Sequence, residues 1–149
     1  MRHARTAAFV LAIAASFDAA CGRELIREGA AAPSFELRDT AGKAFSTREI
    51  AARAAVLIFV RPEQERSVLA LRDAMLLRHD IPGAAWELVV IVSGAFGDDA
   101  IAGLAAQAGF TGRILKDPAM QVYGTCGVIV APSTVLIGRD GTVAFSKAG

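Results

Sequence analysis

Two unbroken apolar runs, residues 56–60 and 88–92, dominate the hydropathy pattern, and each is followed by apolar residues recurring at helical spacing. Five consecutive apolar residues, β-branched at Val56, Ile58 and Val60, predict a central strand covered on both faces. Beyond it Val68, Leu71 and Met75, with Leu69 and Leu76 beside them, form the apolar stripe of a helix; Glu65, Arg66, Arg72, Asp73 and Arg78 take its other face. Pro62 suits the first position of that helix, and Pro82 ends it. The second run, residues 87–92, predicts another buried strand. Asp98 and Asp99 then cap a helix containing Ile101, Leu104 and Ala105, closed by Gly109.

Shorter signals frame this centre. Residues 35–38 alternate as a half-buried strand, residues 39–43 supply a turn, and Ala44 and Phe45 begin the return. Ser46 and Glu49 match a capping box for a short helix that ends before Ala54. Residues 113–116 read as a short strand, and Asp117-Pro118 as the N-cap and first position of a brief helix reaching Tyr123. The β-rich stretches 128–137 and 142–145 flank Asp140-Gly141, a strong hairpin signal. Strand alternating with helix predicts an α/β domain with parallel central strands, and no internal repeat is present.

Composition divides the 149 residues into three parts. Residues 1–21 have basic positions at Arg2 and Arg5, an apolar run over residues 6–17 and small residues before Cys21, the three regions of a secretory signal. That run is too short to span a bilayer comfortably. Cys21, followed by Gly22, stands where a lipoprotein leader is cut, although Asp18 occupies the position that normally carries an aliphatic residue. Ordinary cleavage near Ala20, lipidation at Cys21 and an uncleaved anchor are the three readings. All of them predict an exported domain, the last two with membrane attachment through the N-terminus. Residues 22–33, including the small-residue stretch 29–33, read as a linker, and the domain proper as residues 34–149.

Without residues 1–21, 14 basic and 14 acidic side chains remain, so the mature domain is neutral and lacks the basic footprint of a nucleic-acid binder. About 128 residues suffice for a hydrophobic core without a staple. Cys126 is then the odd thiol of an exported chain.

The order Gly29, Pro33-Ser34-Phe35, Asp39, Gly42-Lys43, a strand ending in Phe59, a second at Leu88, and Pro132-Ser133-Thr134 followed by Ile137 and Asp140-Gly141 resembles the redoxin group. That group holds the TlpA/ResA-like thiol-disulfide oxidoreductases and the AhpC/TSA peroxiredoxins. The resemblance spans residues 29–149 and implies a thioredoxin-like fold, a central mixed sheet flanked by helices, and a thiol-based oxidoreductase or antioxidant role. It also exposes three departures. Where TlpA-like members carry Cys-x-x-Cys this sequence has Gln64 and Ser67, and at the peroxiredoxin Thr and Cys positions it has Arg66 and Leu69. The segment 127–131 is a few residues longer than usual. The helix that normally follows the last hairpin to cover one sheet face is missing.

A serine hydroxyl is not redox-active and needs a base to become a nucleophile. His79, at the far end of the same helix, reads as a solvated helix end, so Ser67 reads as a solvated or capping residue. Glu63 and Glu65 read as first-turn acids complementing the helix dipole. By the resemblance Pro132 is a cis-proline, and Ala131 before it offers backbone groups to an extended peptide or a partner protein. The glycines around Cys126 predict a bend that exposes the thiol to mixed-disulfide formation; the competing reading is a buried, inert cysteine, since no basic residue adjoins it. No cofactor is implied, and Asp98, Asp99, Asp117 and Asp140 are too scattered for a metal site. Two function classes follow: a redox protein working through Cys126, and a non-catalytic module binding at Ala131 and Pro132. A truncated, inactive remnant is the third reading.

Overall fold

The computed structural model describes residues 24–82 and 85–149. The leader and Cys21 lie outside the described residues. The chain runs through β1 (Glu36–Asp39), β2 (Ala44–Ser46), a single 3-10 turn (Thr47–Ile50), β3 (Ala54–Val60), α1 (Glu65–Asp80), β4 (Trp86–Ser93), α2 (Asp98–Ala108), β5 (Ile114–Asp117), α3 (Gln121–Thr125), β6 (Ser133–Ile137) and β7 (Val143–Ala148). The strands form one mixed sheet in the order β2-β1-β5-β4-β3-β6-β7. Parallel β5, β4 and β3 lie at its centre, with β1 and β6 antiparallel beside them.

The continuous apolar runs are explained by the two faces they serve. Ala55, Leu57 and Phe59 of β3 join Val89 and Ile91 of β4 in a core capped by Val122, Tyr123 and Cys126. Ile58 and Val60, one step out of phase, join Val90 and Val92 beneath Val68 and Leu71 of α1 and Ile101 and Leu104 of α2. Strand side chains alternate between faces, so only a strand buried on both sides needs an unbroken run. Each such side chain, fully buried, is worth roughly 1.5–3 kcal/mol.

The capping box forms as expected, with Ser46 Oγ accepting from Arg48 N–H and the Glu49 carboxylate accepting from Ser46 N–H. His79 sits exposed in the last turn of α1. Three boundaries differ from the sequence reading. The first helix begins at Glu65 with Gln64 as N-cap, because the chain passes through a left-handed conformation at Glu63 (φ 69°) after Pro62. Glu63 therefore precedes the first turn, and only Glu65 lies in it. The N-cap of α2 is Gly97, leaving Asp98 and Asp99 in its first turn, where Asp98 pairs with Lys116 at 2.7 Å. Asp117 ends β5 instead of starting a helix, yet its carboxylate accepts from Gln121 N–H and Tyr123 N–H and so caps α3 from outside.

Residues 24–33, expected to be a linker, are laid against the domain. Ile26 N–H donates to Cys126 O, Gly29 N–H to Val143 O and Ala32 N–H to Gly141 O, while Leu25, Ile26 and Ala32 pack on the core. The opposite face is less covered. The α1 and α2 helices lie over β3, β4 and their neighbours, and beside α1 the surface over β6 and β7 is an apolar groove of about 730 Å³. Among the described residues no helix is long and apolar enough to cross a membrane.

Candidate functional site

The parallel strands β3, β4 and β5 all end at one pole of the sheet, and the β3–β6 register pairs Phe59 with Ser133. The turn leaving β3, residues 61–64, therefore runs beside the loop entering β6, residues 127–132. This juxtaposition brings Gln64 and Ser67 to the same pole as Ala131 and Pro132, which in sequence are more than sixty residues away.

The turn after β3 is closed on itself. Ser67 is fully buried, and its Oγ accepts a hydrogen bond from Arg61 N–H at 3.1 Å. It also donates to Gln64 Oε1 at 3.5 Å. Ser67 is thus neither solvated nor a helix N-cap: it holds the turn to the helix that follows, and its lone pairs are directed to the backbone. No histidine or lysine bonds to it, so nothing removes its proton.

Beneath the turn lies a residue that the hydropathy pattern did not single out. Tyr123 is buried, its hydroxyl donates to Val60 O at 2.7 Å and to Ile91 O at 3.2 Å, and its ring meets Phe59 edge-on with centroids 5.1 Å apart. One phenol thereby ties together the ends of two adjacent strands. Burial pushes its pKa well above the ordinary value. A lone tyrosine in an apolar segment is a usable signal, since a buried phenol must find an acceptor.

Cys126 stands at the end of α3, and its side chain is buried among Phe59, Tyr123 and their neighbours. The expected bend exists, but it turns the thiol inward. Gly127 adopts φ 66°, and a Cβ there would lie 1.9 Å from Glu24 O, so the glycine admits the N-terminal strap against the loop instead of opening the cysteine to solvent. Burial, and secondarily the charge of Asp117, push the thiol up to about 12. A thiol held there is almost wholly protonated at neutral pH, and the thiolate is the nucleophile.

The loop before β6 has the opposite character. The Ala131–Pro132 peptide is cis. Ile129 and Val130 are 53% and 47% exposed, and Pro132 is half-buried at the end of the groove beside α1. Among the described residues the backbone of Ile129 and Ala131 makes no hydrogen bond, whereas Val130 O accepts from Ser133 Oγ. The loop thus combines unpaired main-chain groups with apolar side chains in water. Among the described residues no group of three or more His, Cys, Asp or Glu side chains is placed to hold a metal ion.

No protein-family model and no curated protein sequence matches this chain. Solved structures do. A protein designated thiol:disulfide interchange protein DsbE, from Chlorobium tepidum, superposes with a TM-score of 0.74 at 21% identity, covering 83% of this chain and 86% of that one. A secreted Mycobacterium tuberculosis disulfide oxidoreductase homologous to E. coli DsbE gives 0.68 at 19% identity, over 77% and 83%. The thioredoxin domain of a Bacteroides vulgatus thiol-disulfide oxidoreductase gives 0.72 at 10% identity, over 82% and 89%. With its central mixed sheet, its helices on both faces and these superpositions, the chain has a thioredoxin-like α/β fold.

Proposed function

We propose that this chain is an exported, redoxin-derived thioredoxin-like domain that binds extended polypeptide at the loop 129–132 and performs no thiol chemistry. The reading rests on one contrast at one pole of the sheet. The positions that the resemblance gives to a dithiol hold Gln64 and Ser67, and the one described thiol, Cys126, is fully buried with a raised pKa. The neighbouring loop keeps unpaired backbone groups at Ile129 and at Ala131, a buried residue, and exposed side chains at Ile129 and Val130. Main-chain pairing supplies affinity for an extended peptide, and exposed apolar side chains supply a preference for apolar residues in it. Export is supported by the leader pattern of residues 1–21.

Reduced, carboxymethylated α-lactalbumin is a suitable probe, because it offers extended apolar segments and no thiol or disulfide. Its binding, followed by fluorescence anisotropy, is expected to weaken about tenfold in Ile129→Asp/Val130→Asp, the loss of a desolvated apolar contact worth roughly 1.4 kcal/mol. Both positions are exposed, so the thermal midpoint should stay unchanged. Unaltered binding in the double variant would remove the loop from the account.

A further inference from the structure

At the pole opposite the loop 129–132, where β3, β4 and β5 begin, a cavity of about 340 Å³ is lined by residues of the 3-10 turn, the last turn of α1 and the strand starts. Its lining includes Phe45, Ile50, Val89 and Leu115, all buried apolar residues. It also carries three guanidiniums, Arg53, Arg78 and Arg113, against two carboxylates, Glu49 and Glu87. Arg53 and Glu87 pair at 3.2 Å. Arg78 is exposed, and among the described residues it makes neither an ion pair nor a hydrogen bond. Arg113 is held in place without a hydrogen bond. Its guanidinium lies over the Phe45 ring, 5.6 Å from the centroid, and a guanidinium on a ring face keeps its in-plane N–H groups available to donate. Its Nε stands 3.7 Å from Asp39 and its Nη1 3.8 Å from Glu49, both too far for a hydrogen bond. Those carboxylates already serve the main chain: Asp39 Oδ1 accepts from Ala41 and Lys43 N–H, and Glu49 Oε1 from Ser46 N–H.

We propose that this cavity binds a small monocarboxylate, with the carboxylate taken by Arg113 and Arg78 and the hydrocarbon body against the apolar lining. A planar guanidinium edge matches a planar carboxylate with two parallel N–H donors, which a compact ammonium cannot do. A cavity of this size that combines apolar walls with a few fixed polar groups suits a compact organic acid. The charges select the class further. Glu49 and Glu87, with Asp39 beside Arg113, balance all but a single positive charge or more of the three guanidiniums, so a second negative charge on the ligand meets repulsion. A monocarboxylate is therefore favoured over a phosphate dianion. No residue of the cavity belongs to the loop 129–132, so this site and the polypeptide-binding reading fail or stand independently.

Titration of the full chain with benzoate, followed by amide chemical shifts, tests the site. Saturable shifts in the millimolar range are expected at Val89, Gly112 and Arg113, and the neutral isostere benzamide should leave those amides unmoved. Arg78→Gln and Arg113→Gln should each weaken benzoate binding about tenfold, the loss of one charge-assisted contact. Arg139→Gln, which removes an exposed guanidinium from the hairpin turn, should bind as wild type does. Arg78 has no partner to lose, so its variant keeps the fold and the test holds even where Arg113→Gln is destabilised. Absent or non-saturating shifts, an equal response to benzamide, or an Arg78→Gln variant that titrates like wild type would each overturn the proposal. Tighter binding of inorganic phosphate than of benzoate would overturn the assigned ligand class.

Discussion

The turn after β3 and the loop before β6 lie side by side at one pole of the sheet, yet one is closed and the other open. Within residues 61–67, Ser67 Oγ accepts from Arg61 N–H and donates to Gln64 Oε1, and Pro62 is buried. In residues 129–132 the main-chain groups of Ile129 and Ala131 are unpaired, and the side chains of Ile129 and Val130 face water. The first is a structural brace, while the second leaves the main-chain groups of Ile129 and Ala131 unpaired and two apolar side chains exposed.

The comparison can be broken most forcefully by placing a dithiol in the closed turn. In Gln64→Cys/Ser67→Cys the first thiol would stand at the N-cap of α1, where the helix dipole favours a thiolate. The second would stand three residues on, in the first turn of α1, at the Cys-x-x-Cys spacing that the resemblance implies. Insulin reduction in the presence of dithiothreitol should rise from the reductant-only rate to a clearly catalysed one. A double variant that folds and stays inactive would show that more than two side chains separates this turn from a working site.

A smaller effect sharpens the structural half. Ser67→Ala removes the acceptor of a part-buried N–H at Arg61, and such a loss costs about 1 kcal/mol. Urea unfolding should show the midpoint lowered with the slope unchanged. Binding of the carboxymethylated probe should be unaffected, since the brace and the contact loop are different groups. A Ser67→Ala variant as stable as wild type would mean that the turn is held by its packing alone.

What could be read in advance depended on how local the cause was. The runs at residues 56–60 and 88–92 announced central strands because burial on both faces leaves no polar position in them. Ser46 with Glu49, and Asp140 with Gly141, act within four residues of themselves and were equally legible. Asp117 was misplaced because its carboxylate reaches forward to Gln121 and Tyr123 from the end of a strand, a geometry that mimics an N-cap in sequence. Pro62 fitted a first helical turn, but the left-handed residue that delays the helix, Glu63, is an ordinary side chain with no local signature. The fates of Cys126 and of residues 24–33 are one fact: Gly127 bends to accept the strap at Glu24, and the contact joins segments about a hundred residues apart. Small residues at both ends looked like flexibility and solvent access; in the fold they are what lets two backbones meet. The same long-range cause hid the site, since the approach of Ser67 to the Pro132 loop follows from the pairing of Phe59 with Ser133.

The central claim, recognition without thiol chemistry, is tested most directly by comparing wild type with Cys126→Ala in two assays run in parallel, insulin reduction and binding of carboxymethylated α-lactalbumin. The account predicts that neither protein reduces insulin faster than dithiothreitol alone and that both bind the probe with the same affinity. Reduction by wild type that disappears in Cys126→Ala, or binding that needs the thiol, would contradict it.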